Sequence, residues 1–283
     1  MSEIVVALGV AGGDTAVRWA VQRAETTNSS VRLVHVVDTQ LGIGERATAE
    51  TRQAVFESAE HIVAAALLTA QATTPGVRVH TQATGGNSVE IYEQLSFEAE
   101  LLVIAGEWRS AEHRGRRSVV AQRIAAASRC PVAVIPDLDL SGRAGVVVGV
   151  DGSAASTAAL RFGASEAARL GEPLIAVHAW DVAILGGGEF GYGIAYVSND
   201  GFEDAAAALV DEALAPIRET YPDLLVQPVL VANDPVQALV EASAAAKLLV
   251  VGSTGRSALA RFLLGSVSLG LLSDVAVPTV VIR

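Results

Sequence analysis

Short, unbroken apolar runs rich in β-branched residues alternate along this chain with longer alanine-rich stretches. In the second half the apolar runs fall at Gly145–Val150, Leu174–Ala179, Leu225–Val231, Leu248–Val251 and Thr279–Ile282. Helical patterns lie between them at Ala154–Leu170, Phe202–Tyr221, Pro235–Ala246 and Gly265–Asp274. Runs that stay apolar without alternating suit parallel strands covered on both faces. Asp234-Pro235 is a helix opening, with Asp as N-cap and Pro at the first helical position, where its missing N–H costs nothing. Strand-helix alternation predicts a doubly wound α/β sheet. Ligands then belong at the carboxyl ends of the strands, near the switch in strand order.

The pattern occurs twice. His35, in VRLVHVVD, recurs as His178, in LIAVHAWD, 143 positions on, and Arg18-Trp19-Ala20 recurs as Arg161-Phe162-Gly163 at the same shift. Later matches, Glu100–Ile104 with Lys247–Val251 and Cys130–Ile135 with Val277–Ile282, are shifted by 147. Four extra residues therefore enter the second copy, in the glycine-rich stretch Leu185–Gly201. The joint, PDLDLSGR, is polar and proline-led, as a linker should be. Residues 1–136 and 144–283 are read as two domains, with 137–143 as the linker. Their last strands, Val132–Ile135 and Thr279–Ile282, can pair edge to edge within the chain, covering two exposed sheet edges in a pseudo-twofold arrangement. Further homodimerisation is left open.

Composition narrows the classes. At 283 residues, with 51% hydrophobic and 18% charged, the chain is folded and long for one core. No apolar stretch approaches the roughly 18 residues of a membrane span. The start, Met1-Ser2-Glu3 running into Ile4, lacks the basic region and cleavage site of a signal peptide. Cys130, the single cysteine, cannot form an internal disulfide and is expected in a core. These features predict a cytoplasmic protein without a membrane partner. A net charge of −11 argues against nucleic acid as partner, since phosphate neutralisation needs a basic surface.

The densest chemistry lies in residues 246–268, AKLLVVGSTGRSALARFLLGSVS. The run Leu248–Val251 meets Gly252 and Gly255, and after nine intervening residues Gly265, Ser266 and Ser268 stand at a helix opening. Glycines let backbone approach a ligand closely, and helix-start N–H groups with two hydroxyls suit phosphate oxygens. No Gly-Lys-Ser/Thr exists, so the site is not a P-loop. The competing reading is a tight turn plus a helix cap. Asp151 ends a strand, where its carboxylate could accept from ribose hydroxyls or simply cap the helix near Ala154. Arg256 could reach phosphates or be a solvated charge.

These residues resemble the universal stress protein family in its tandem two-domain form. The resemblance rests on Val148–Ser153 (VGVDGS), on Val177-His178-Ala179, and on Gly252-x2-Gly255-x9-Gly265-Ser266, the family's ATP signature, and it covers essentially the whole chain. It implies a five-stranded parallel sheet of order 3-2-1-4-5 in each domain, pairing of the domains through their last strands, and ATP as cofactor, with Mg2+ as an optional companion. It also implies that Asp151 contacts the nucleoside and that Ala179 meets adenine through its backbone. Gly252, Gly255, Gly265, Ser266 and Ser268 would hold phosphates, and Val267 would line the site. The neighbours Gly149, Val150, Val251, Thr254 and Arg256 complete the expected binding set.

At the same shifts the first copy places Leu8 where the second has Asp151. Ala105 and Trp108 stand for Gly252 and Gly255, while Ser118, Val119 and Ala121 stand for Gly265, Ser266 and Ser268. The expectation is one ATP per chain, in the second domain. In place of a phosphate loop the first copy carries Arg109, Arg114, Arg116, Arg117 and Arg123, either a patch for an anionic or protein partner or a solvated loop.

Other signals are weaker. Gly186-x-Gly188-x-x-Gly191 matches a dinucleotide fingerprint literally, but no helix follows at once. Leu185–Gly201 is read as a loop near the ligand, with Phe190, Tyr192 and Tyr196 available to cover a base. His35 and His178 are equivalent and read as structural, and His61, His80 and His113 lack metal-ligand spacing. No catalytic residue and no metal ligand is assigned. The functional expectation is a stress-response regulator that binds ATP and changes conformation or partner with occupancy. A slow ATPase and a purely structural paired domain are the alternatives.

Overall fold

A computed structural model describes residues 2–10, 13–38, 48–106, 114–180, 200–255 and 264–283. The first half runs β1 (Glu3–Leu8), α1 (Asp14–Thr27), β2 (Ser30–Asp38), α2 (Ala49–Thr73), β3 (Val79–Gly86), α3 (Ser88–Leu95), β4 (Leu101–Gly106), α4 (Arg114–Ala127) and β5 (Val132–Pro136). The second half repeats it as β6 (Val146–Gly149), α5 (Ala154–Leu170), β7 (Leu174–Trp180), α6 (Asp200–Thr220), β8 (Val226–Ala232), α7 (Pro235–Ser243), β9 (Leu248–Gly252), α8 (Ser266–Ser273) and β10 (Thr279–Ile282).

The ten strands of the described residues form one sheet of order β3-β2-β1-β4-β5-β10-β9-β6-β7-β8. Each half is a parallel sheet of order 3-2-1-4-5, and the halves join where β10 pairs antiparallel with β5. The apolar runs are continuous because both faces of the strands are covered. Ile4, Val6 and Leu8 of β1 point into one buried cluster, together with Val17 of α1, Val63 of α2, Leu160 of α5 and Leu214 of α6. Val5 and Ala7 point into the other, with Tyr92 of α3, Ile124 of α4, Leu239 of α7 and Leu272 of α8.

Local chemistry sets the boundaries. Asp234 caps α7, its carboxylate accepting from Gln237 N at 3.0 Å with Pro235 at the first turn. That helix stops at Ser243, short of the expected Ala246, because Ala244 N turns back to Glu241 O and Ala246 N to Ser243 O. Strand β6 is shorter than expected because Gly145 sits at φ +86, outside the extended region. Cys130 is buried, and burial pushes its thiol up to about 11. The stretch 185–199 and the residues Phe190, Tyr192 and Tyr196 lie outside the described residues, as does Gly186-x-Gly188-x-x-Gly191. Among the described residues no helix is long and apolar enough to cross a membrane, and no group of three or more His, Cys, Asp or Glu is placed to hold a metal ion.

Candidate nucleotide site

Strand β6 lies between β7 and β9, and the chain leaves it in opposite directions toward β8 and β10. A cavity of about 360 Å³ opens at the carboxyl ends of these strands, within the size range of small-molecule pockets. Strand β6 and the turn after it contribute Gly149, Val150 and Asp151, and β7 contributes Ala179. Strand β9 and its turn contribute Val251, Gly252, Thr254 and Gly255. Gly265, Ser266, Val267 and Ser268 close the cavity from α8. Every expected site residue thus lines one cavity except Arg256, which lies outside the described residues.

Asp151 is not the helix cap. Ser153 performs that task, its hydroxyl accepting from Ser156 N at 3.1 Å. Asp151 Oδ1 instead accepts from Ser153 N at 2.9 Å, fixing the turn. Oδ2 stands 3.0 Å from where a Cβ on Gly255 would be, so the carboxylate lies against the Gly255 backbone. Among the described lining residues Asp151 carries the one formal charge.

The two arms of the glycine segment are clasped by one carbonyl. Ser253 O accepts from Gly265 N at 2.7 Å and from the Ser268 hydroxyl at 3.1 Å, while Ser253 N donates to Ile282 O at 2.7 Å. The Ser268 hydroxyl also reaches Gly265 O at 3.0 Å and is 1% exposed. Its proton is therefore committed to backbone, and Ser268 builds the loop rather than presenting a free donor. Gly265 is the N-cap of α8 and supplies no side-chain hydrogen bond, which leaves the N–H groups of Ser266, Val267 and Ser268 at the positive end of the helix without intrahelical partners.

The glycines serve different ends. A Cβ at Gly252 would sit 2.8 Å from the Ala155 backbone, so this glycine lets α5 pack on β9. At Gly265 a Cβ would meet only ordinary contacts at 3.5 Å, with φ at −68, so neither its backbone conformation nor its neighbours require glycine. What its missing side chain leaves is open access to the helix start.

Sequence reasoning missed Ser156, Val177, Pro235, Leu239 and Leu264, which also line the cavity. Pro235 and Leu239 stand one helical turn apart, and that spacing was a usable signal. The histidines are structural in both halves: His178 Nδ1 meets Val150 O at 2.7 Å and His35 Nδ1 meets Leu8 O at 2.9 Å. At the Asp151-equivalent position Leu8 is 4% exposed and packed into the core, and a Cβ at Gly13 would stand 2.9 Å from the Cβ of Ala105. Trp108 and Arg109 lie outside the described residues. Arg114, Arg116 and Arg117 fall in the first turn of α4, and Arg123 is exposed on the same helix.

The universal stress protein family profile matches residues 1–136 and 144–283. A universal stress protein of Mycobacterium tuberculosis is 34% identical, over 98% of this chain and 96% of its own. A second from that organism is 31% identical, over 95% and 91% respectively. A crystal structure of a universal stress protein from Archaeoglobus fulgidus covers 99% of this chain and 96% of its own, with a TM-score of 0.69 at 15% identity, a likeness of fold. With the profile matching both halves and relatives aligned over nearly their full length, the chain belongs to the universal stress protein family, as a tandem pair of its domains.

Proposed function

We propose that this protein binds one ATP per chain, in the second domain, and acts as a stress-response regulator whose conformation or partner choice follows nucleotide occupancy. The observation that carries the reading is the convergence of a carboxylate, an uncapped helix start and an unobstructed Gly265 in one cavity at the strand ends. Asp151 would accept from ribose hydroxyls, and the backbone of Ala179 would face the base. The N–H groups at the start of α8 and the Ser266 hydroxyl would hold phosphate oxygens. Apolar Val177, Val251, Leu239 and Pro235 give the base a wall to pack against. Leu8 and Ala105 stand where the second domain has Asp151 and Gly252, and the burial of Leu8 in the core supports reading 1–136 as a degenerate copy without a nucleotide site.

Binding rather than hydrolysis is the better reading, because phosphoryl transfer needs a group to orient water or accept a proton. Asp151 is tied to the turn that ends β6, and Ser268 already donates to carbonyls. The reading places the protein in the cytoplasm. The test is to denature purified protein and identify the released nucleotide by chromatography. ATP recovered intact supports the reading. ADP with time-dependent phosphate release makes the protein an ATPase, and no bound or bindable nucleotide makes it a structural pair.

A further inference from the structure

The axis relating the two halves runs through three layers, and in each layer equivalent residues meet. In the sheet, Ala133 of β5 pairs with Val280 of β10, its counterpart 147 positions on. On one face Gln122 of α4 donates to Leu269 O of α8 at 3.4 Å, again its own counterpart. On the other face α1 meets α5, and there the shift is 143. Arg23 meets Glu166 at 3.1 Å, and Arg169 donates to Thr26 at 3.0 Å.

A residue on a twofold axis faces itself when identical domains pair. Here Arg23 is 5% exposed and Glu166 1%, and they face each other as opposite charges. Each also keeps a partner within its own half: Arg23 lies 3.3 Å from Glu100, and Glu166 accepts from Arg169 at 2.7 Å. The Arg23 guanidinium also lies over the Phe162 ring at 5.6 Å. We propose that the α1–α5 face is a heterotypic recognition surface whose occupant is the opposite half of this chain, with Arg23 and Glu166 excluding like-with-like pairing. Two first halves would bring two buried guanidiniums together on the axis, and two second halves two buried carboxylates. Burying like charges is costly, whereas the sheet-edge pairing of β5 with β10 is backbone chemistry that cannot tell one half from the other. The N-terminal half leaves the ribosome first, with its β5 edge open to another nascent copy, and Arg23 guards that interval.

The test uses the intact chain and recreates a like-charge meeting on the axis. R23E sets a carboxylate against Glu166, as two second halves would, and should lower the thermal midpoint further than the apolar R23M does. Adding E166M to R23E should then recover part of that loss. An R23E midpoint no lower than that of R23M, or a loss that E166M leaves unchanged, overturns the proposal. A second measurement keeps the charges out altogether: R23M and E166M should each lower the thermal midpoint more than R23M/E166M does. Singles that merely add in the double variant would show the two charges uncoupled and overturn it too.

Discussion

Arg23 and Glu166 are the same position in two copies of one helix, and they meet as opposite charges on the axis that relates the copies. A duplicated chain can do what a homodimer of one domain cannot, because each copy is free to change its residue on the axis separately. Replacing Arg23 by Met leaves Glu166 buried with Arg169 alone and should cost about 3 kcal/mol, the lower end for breaking a buried pair. Equilibrium urea unfolding of the intact chain measures it, and a loss within a few tenths would mean the pair is dispensable.

Gly265 and Gly252 should separate binding from folding. Gly265→Ala has room for its methyl and should leave the unfolding midpoint unchanged while weakening ATP binding at least about tenfold, or 1.4 kcal/mol. Gly252→Ala drives a methyl into the Ala155 backbone and should destabilise the fold by about 1–3 kcal/mol. Calorimetric binding and thermal unfolding on both variants give four numbers, and a reversed pattern would contradict the assigned roles.

Asp151 and Ser153 divide along similar lines. Asp151→Asn keeps an oxygen that can accept from Ser153 N, so stability should hold while nucleotide affinity falls about tenfold or more. Ser153→Ala removes the cap of α5 and should cost about 1 kcal/mol of stability. If Asp151→Asn bound ATP as tightly as wild type, the carboxylate would be only a turn-former.

Much of this was readable in the residues because the repeat supplies its own control. Comparing Asp151 with Leu8, and Gly252 with Ala105, isolates candidate ligand contacts from fold requirements. What stayed hidden depends on three-dimensional approach. That Gly252 yields to Ala155, that Ser268 spends its proton on Ser253, and that Ser153 takes the capping role follow from distances that no spacing rule encodes. The Arg23–Glu166 contact was equally invisible until the antiparallel pairing of β5 with β10 located the axis.

Glu172 supplies a pH dependence. The hydrogen bond from Lys247, with a second from Gly145 N, holds its carboxyl below the usual range. A depressed folded-state value means stability that is present above the unfolded value, near 4.3, and is lost as pH falls through the folded one. Glu172→Gln should therefore be less stable than wild type at neutral pH, with the gap closing below about pH 4. Urea midpoints across pH 3–7 test this, and a gap independent of pH would remove the ion pair from the explanation.

A two-domain chain with one nucleotide site has a defined stoichiometry. Isothermal titration of the nucleotide-stripped, intact protein with ATP measures it most directly. The expected result is one ATP per chain, with affinity at least about tenfold lower in Asp151→Asn. Two ATP per chain, or saturable binding unchanged in that variant, would contradict it.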